Sequence, residues 1–118
     1  MNNNKSLESV MRKFFKMRDD RNWKQFHNPK NLAISLTLEA TEVLEFFQWS
    51  NMEESQNISI KEKENLAEEI ADVATYLFAL ADSVGVYVIE AMDRKMDKNI
   101  KKYPVEKSKN NSTKYNKL

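Results

Sequence analysis

Apolar residues recur every three to four positions in four stretches of this sequence, and this spacing constrains the fold more than any other feature. In the first stretch Leu7, Val10, Met11 and Phe14 follow it, which places their side chains on one face of an α-helix. The same period predicts helices over residues 7–20, 29–50, 59–84 and 87–103. A composition with one glycine and two prolines agrees with a helical chain. The sequence therefore predicts an all-α protein.

Residues that start or stop helices stand at the borders of these stretches. Pro29 follows an asparagine that can cap a helix, and proline is favoured at the first helical position. Ser59 and Glu62 have the spacing of a capping box. Gly85 stands where a left-handed C-terminus is expected, and Pro104 ends the last helix. Four helices with short connections predict a four-helix bundle.

The length of 118 residues predicts a single domain. We expect residues 1–104 to form it, residues 51–58 to be a polar loop inside it, and the polar residues 105–118 to be a mobile C-terminal tail.

Charge and composition exclude several classes of protein. Nineteen Lys and Arg against eighteen Asp and Glu give a net charge of +1, so no global field favours nucleic acid or an anionic membrane. The chain has no cysteine, which excludes disulfides, thiolate nucleophiles and Cys-ligated zinc. No apolar run approaches the roughly 20 residues that span a bilayer, and the polar start resembles no signal peptide. We expect a cytoplasmic protein.

Two acidic pairs stand out within this pattern. Glu39 with Glu42, and Glu69 with Asp72, each have i, i+3 spacing, so each pair faces one way on its helix. At about 100° per residue, Glu39 falls inside the apolar stripe of its helix. If the two helices face one another, the four carboxylates meet.

Four adjacent carboxylates repel one another, and a divalent cation relieves that repulsion. Ligation by oxygen alone points to Mg²⁺, with Mn²⁺ as a possible substitute, because zinc and copper sites usually include His or Cys. Mg²⁺ commonly completes its coordination with substrate phosphate, so the site would bind phosphate as well. The alternative is that the acids are ordinary surface charge and that the apolar stripes serve a non-enzymatic helical oligomerisation module.

The acidic pairs and several shorter motifs resemble those of the MazG-like pyrophosphohydrolases, in particular the single-domain dCTP pyrophosphatase branch. The resemblance covers about residues 10–104. Beside Glu39-x-x-Glu42 and Glu69-x-x-Asp72, it rests on Trp23-Lys-Gln-Phe-His27, Lys30-Asn-Leu32, Glu45-Phe-Phe-Gln-Trp49, Asp72-Val-Ala-Thr-Tyr76, Lys95-Met-Asp-Lys-Asn99 and Lys102-Tyr-Pro104.

This resemblance implies an all-α nucleoside triphosphate pyrophosphatase fold and hydrolysis of a (deoxy)nucleoside triphosphate to a monophosphate and pyrophosphate. The acidic quartet would hold Mg²⁺, and Glu42 is favoured over Glu39 as the catalytic base. Other residues would bind substrate: Trp23 and Trp49 at the base, Tyr76 at the sugar, and Lys95, Asn99, Lys102 and Tyr103 at the phosphates.

Two departures from the family pattern affect the expected site. Position 38 is Leu, where many relatives carry a second Glu. Phe14 takes the place of a base-pocket His in animal dCTP-specific relatives, and it could still stack on a base. Substrates therefore stay open between dCTP, a modified nucleotide, dUTP and phosphoribosyl-ATP. The resemblance also implies a homo-oligomer, with a tetramer favoured over a dimer.

Overall fold

The predicted helices all form. The computed structural model describes residues 5–117, and these contain helices, turns and loops without a strand. The helices are α1 (Leu7–Asp20), α2 (Pro29–Phe47), α3 (Met52–Gln56), α4 (Ile60–Val84), α5 (Val88–Lys102) and α6 (Val105–Ser108), with short 3₁₀ turns at Lys24–Phe26 and Tyr115–Lys117. The four long helices are those expected from the spacing of apolar residues, so the all-α prediction is confirmed.

Helix boundaries follow the capping residues of the sequence. The Asn28 side chain accepts a hydrogen bond from the Asn31 N–H at 2.9 Å. Ser59 and Glu62 form a reciprocal capping box, in which Ser59 Oγ accepts from the Glu62 N–H at 3.1 Å. Gly85 has a φ of 72°, a left-handed conformation that costs glycine little and ends α4.

Between α2 and α4 the structure corrects two expectations. Residues 51–58 are not simply a loop, because they contain α3. The Asn51 side chain caps α3 by accepting from the Glu54 N–H at 2.8 Å, and Glu53 and Glu54 lie in its first turn, where negative charge is favourable. In addition, α2 ends at Phe47, three residues before the predicted end.

The chain forms two compact units, one ending at Gly85 and one beginning at Val86, and each is described by itself. In the N-terminal unit, α2 and α1 both pack against α4. Met11, Leu32 and Ala79, one from each of these helices, form a buried cluster within the core. Phe14, Phe15 and Tyr76 are among the partly buried side chains that pack around it, so aromatic residues of α1 and α4 line the edge of the core.

The C-terminal unit consists of α5, α6 and the turn at Tyr115–Lys117. After α6 the chain reverses at Asn110, which has a φ of 61°. Tyr115 then lies against the end of α5, with its ring centroid 6.2 Å from that of Tyr103. The single domain over 1–104 and the mobility of the tail stay predictions.

Among the described residues, no single helix is long and apolar enough to cross a membrane, and only α4 and α5 taken together meet those criteria. The predicted cytoplasmic location stays a prediction.

Candidate metal and nucleotide site

The acidic residues of α2 and α4 meet where these helices pack together. Carboxylate oxygens of Glu39, Glu69 and Asp72 all lie within 4.8 Å of one another. The i, i+3 spacing accounts for this, because it turns both acids of a helix toward the same neighbour. Ligand oxygens around one octahedral Mg²⁺ lie about 3 to 4 Å apart, given metal–oxygen distances of about 2.1 Å. The separation of the three carboxylates therefore suits a single cation.

Glu42 completes this acidic cluster from the exposed side. Its carboxylate is close enough to raise the pKa of Glu39 by its charge, and it reaches Glu69 within hydrogen-bonding distance. Such a hydrogen bond between carboxyl groups exists only when one of them is protonated, since two carboxylates have no donor. Glu42 thus lies within reach of both neighbouring acids. We call Glu39, Glu42, Glu69 and Asp72 the acidic cluster.

Two oxygens of the cluster have no partner in the protein. Glu39 Oε2 and Glu69 Oε2 are shielded from solvent and accept no hydrogen bond. The three ion pairs recorded within residues 5–117 all lie along α1 and its end, so none neutralises the cluster. A buried carboxylate oxygen without a partner is unfavourable. These two oxygens fit the coordination of a cation.

The pKa values of Glu39 and Glu69 are both raised within the cluster. Burial, followed by the charges of Glu42 and Asp72, raises the pKa of Glu39. The hydrogen bond with Glu42, then burial, then the charges of its acidic neighbours raise the pKa of Glu69 to about 7. Without a cation, part of the cluster is therefore protonated near neutral pH. A bound divalent cation would favour the ionised forms.

Aromatic rings adjoin the acidic cluster. Tyr76 lies one turn after Asp72 on α4, and burial, then the charges of Glu39 and Asp72, raise the pKa of its hydroxyl. The Phe14 ring meets Tyr76 edge to face, with centroids 6.1 Å apart. The Phe14 ring also stacks on His27, with centroids 5.7 Å apart and planes 20° apart. Because these rings come from α1, the turn before α2, and α4, they form a wall beside the acids.

His27 has a place in this wall that the sequence did not reveal. In the structure its Nδ1 is buried without a hydrogen-bond partner, and burial, then the charge of Arg18, lowers the pKa of its imidazole. In the sequence, the position of His27 in the Trp23-to-His27 motif was the feature that could have pointed to a role for it at the site.

The two tryptophans are not part of this wall. Trp23 is 42% exposed, and its ring lies 5.7 Å from the guanidinium carbon of Arg21. Trp49 is 88% exposed and follows the end of α2. No ring pair recorded among residues 5–117 joins either one to Phe14 or Tyr76. Their predicted role at the base stays a prediction.

The predicted phosphate ligands all belong to the C-terminal unit. Lys95, Asn99 and Lys102 lie on α5, within about 60° of one another around its axis. Tyr103 follows them at the helix end, where its N–H donates to the Asn99 carbonyl at 3.0 Å. These residues therefore share one face and one end of α5.

A cavity of about 540 Å³ lies elsewhere in the N-terminal unit. It is lined by Phe46, Ser50, Glu53, Glu54, Asn57, Ile58 and Glu62. Its size suits a small ligand, but its three carboxylates and its lack of a basic side chain would repel a triphosphate. It contains no residue of the acidic cluster, so the cluster remains the candidate site.

Proteins similar to this chain are known. The MazG-like family matches residues 34–118. dCTP pyrophosphatase 1 of Bos taurus is 39% identical over 115 residues, which are 96% of this chain and 68% of that protein. The Homo sapiens protein of the same name is 38% identical over the same shares. The crystal structure of a pyrophosphatase from Archaeoglobus fulgidus DSM 4304 has 40% identity and a TM-score of 0.79, covering 88% of this chain and 97% of that one.

The chain therefore belongs to the MazG-like family. Its all-α fold is shared with the archaeal pyrophosphatase, as the resemblance of the motifs predicted.

Proposed function

We propose that this protein hydrolyses (deoxy)nucleoside triphosphates to a monophosphate and pyrophosphate with the help of a divalent cation at the acidic cluster. The protein is a nucleoside triphosphate pyrophosphohydrolase of the MazG-like family. The observation that carries the proposed site is the meeting of Glu39, Glu69 and Asp72 oxygens within 4.8 Å. Membership of this family leaves no support for the alternative of a non-enzymatic oligomerisation module.

Glu39, Glu42, Glu69 and Asp72 would hold the cation, with Mg²⁺ favoured and Mn²⁺ as a substitute. Four carboxylates without a nitrogen or sulfur ligand suit these hard ions. The ion would supply an activated water and stabilise charge on phosphoryl oxygens. Glu42, on the exposed side of the cluster, would take the proton of the attacking water as the catalytic base. Glu39 is the second candidate for that role.

The aromatic wall would bind the nucleoside. The Phe14 ring can stack on a base, and Tyr76 lies between Phe14 and the acids, where it would contact the sugar. Trp23 and Trp49 would complete the base pocket. Stacking on aromatic rings is compatible with every base, so the wall by itself does not select one.

For the phosphates we propose Lys95, Asn99, Lys102 and Tyr103. A triphosphate needs positive charge around its oxygens in order to bind. The lysines of α5 would supply that charge, and Asn99 would donate a neutral hydrogen bond.

We favour dCTP as a substrate because the curated relatives named above are dCTP pyrophosphatases. Phe14 argues for testing other bases as well, since a phenyl ring has no hydrogen bond with which to recognise cytosine. A modified nucleotide, dUTP and phosphoribosyl-ATP are the alternatives.

We also propose that the protein works as a homo-oligomer, with a tetramer favoured over a dimer. Leu38, Leu44 and Ile70 on α2 and α4 are 61%, 67% and 52% exposed. Large apolar side chains left exposed on a single chain support its association with further copies. Light scattering that gives the mass of one chain would contradict this.

A nucleotide panel tests the reaction. The purified protein is incubated with dCTP, dUTP, the other deoxynucleoside triphosphates and phosphoribosyl-ATP in Mg²⁺, and the products are identified by chromatography. We expect a monophosphate and pyrophosphate in equal amounts. Release of inorganic phosphate with a diphosphate, or no product from any nucleotide, would refute the proposal.

Thermal unfolding tests the cation site separately. Mg²⁺ should raise the melting temperature, because it binds the folded cluster and not the unfolded chain. Glu39→Gln should remove most of that rise, whereas the matched exposed control Glu64→Gln should keep it. Equal stabilisation of both variants would place the ion elsewhere.

A further inference from the structure

Tyr115 contacts Lys102 within the C-terminal unit. The Lys102 ammonium nitrogen lies 4.7 Å from the centroid of the Tyr115 ring. The Tyr103 ring meets the Tyr115 ring edge to face, with centroids 6.2 Å apart and planes at 80°. Lys102 is partly buried, whereas its neighbour Lys101 is exposed. At the end of α5, Lys102 is thus held against a ring, whereas Lys101 extends into solvent.

Local hydrogen bonds direct the chain back to this contact. After α6 the Asn111 N–H donates to the Ser108 carbonyl at 3.0 Å, and Asn110 takes the left-handed conformation at the reversal. The Asn111 side chain then accepts from the Thr113 N–H at 2.8 Å. Asparagine suits both tasks, because it tolerates a positive φ and its amide oxygen can stand in for a backbone acceptor. The polar tail therefore contains the residues needed to return Tyr115 to α5.

A cation on an aromatic face is restrained without losing its hydrogen-bonding capacity. A free lysine side chain samples many rotamers, and ordering it on a ligand costs conformational entropy. The ring attracts the ammonium through its electron-rich face and uses no specific N–H, so donors remain for phosphate oxygens. Holding Lys102 in advance reduces the entropy lost when an anion binds.

We infer that Tyr115 is a positioning residue that orients the Lys102 ammonium for the triphosphate, with Tyr103 supporting the Tyr115 ring. This inference rests on the proposed function, in which Lys102 binds phosphate. It assigns a part of the C-terminal tail to substrate binding.

The test compares Tyr115→Leu with Tyr115→Phe in the wild-type and Lys102→Met backgrounds. Tyr115→Leu should raise KM about two- to five-fold, the strength of a solvent-exposed cation–π contact, and leave kcat unchanged. Tyr115→Phe keeps the aromatic face and should restore the wild-type KM. In the Lys102→Met background, Tyr115→Leu should have no further effect, because the cation that it would release is gone. Asn116→Leu, in the same turn, is the control for adding an apolar residue.

Three results would overturn the inference while hydrolysis by the wild type stands: an unchanged KM in Tyr115→Leu, an equal rise in the Lys102→Met background, or a lower KM. A lower KM would mean that Tyr115 withholds Lys102 from substrate. Absence of turnover by the wild type with every nucleotide would instead refute the proposed function, and this inference with it. Circular dichroism confirms that each variant keeps its helices, and the ring-current shift of the Lys102 side-chain protons should vanish in Tyr115→Leu only.

Discussion

The two regions that the proposed reaction needs are held in different ways. The acidic cluster is made by packing: α2 and α4 bring Glu39, Glu69 and Asp72 together, and oxygens of two of them are left without a partner. The basic end of α5 is made within the C-terminal unit, by helix spacing and by a tail that folds back onto the end of the helix. Like charges are forced together in the first region. In the second, one cation is restrained by a neutral ring.

The two regions differ in the electrostatic free energy that it costs to place their charges. Grouping carboxylates disfavours their ionised forms until a cation binds. The repulsion that costs free energy in the first region is therefore also what favours binding of a cation there. Lysines on an exposed helix face incur little cost, because water solvates them. Substitutions should therefore have larger effects in the cluster than on α5.

The largest expected effect is that of Glu42→Gln. Glutamine keeps the size of the side chain but cannot accept the proton of water, so kcat should fall about 10²- to 10⁴-fold, the usual range for loss of a catalytic base. Steady-state assays at saturating Mg²⁺ measure it, with Glu64→Gln, an exposed acid of α4, as the control. If Glu42→Gln keeps wild-type kcat, Glu42 is not the catalytic base.

A smaller effect is expected on α5. Lys95→Met should raise KM about ten-fold, the lower end of what a hydrogen bond to a charged group contributes, because the side chain is exposed. Lys101→Met, on a different side of the same helix, should change KM little. Equal effects of the two variants would indicate a diffuse basic field in place of specific contacts, and an effect as large as that of Glu42→Gln would contradict the contrast between the regions.

The sequence was sufficient to predict most of the features that depend on neighbours along the chain. The extent of α1, the capping box of Ser59 and Glu62 and the left-handed Gly85 are set by short-range hydrogen bonds and sterics, and all were predicted. The shared face of each acidic pair also follows from helix geometry alone. The short helix α3 was missed because its stretch lacks an apolar period, and only the cap at Asn51 marks it.

Contacts between distant parts of the chain could not be predicted in this way. The stacking of His27 on Phe14 depends on how α1 packs against the turn before α2. No pattern of neighbouring residues predicts that packing. The return of Tyr115 to Lys102 depends on a reversal inside a stretch whose composition is typical of a mobile tail. The high pKa of Glu69 likewise requires the position of Glu42 on the neighbouring helix.

The smallest expected effect, and the most specific to the cluster, is the pH dependence of stability without metal. In the folded protein the pKa of Glu69 is about 7, against 4.5 as its ordinary value. Between these two values the folded state binds more protons than the unfolded state, so the free energy of unfolding should decrease as pH rises from about 4.5 to about 7 and then level off. The stabilising contribution is complete below the lower value and lost above the upper one.

Urea unfolding in EDTA, followed by tryptophan fluorescence, measures this decrease, and the difference between wild type and Glu69→Gln isolates the part due to Glu69. The variant should lose that part, whereas Glu106→Gln, in the exposed α6, should retain it. Saturating Mg²⁺ should abolish the decrease in the wild type, because the ion binds the carboxylates in their ionised form and is displaced by protons. If the decrease persists in Glu69→Gln or is unaffected by Mg²⁺, the carboxylates of α2 and α4 are not coupled through one cation. The contrast between the packed cluster and the exposed basic helix would then have no physical basis.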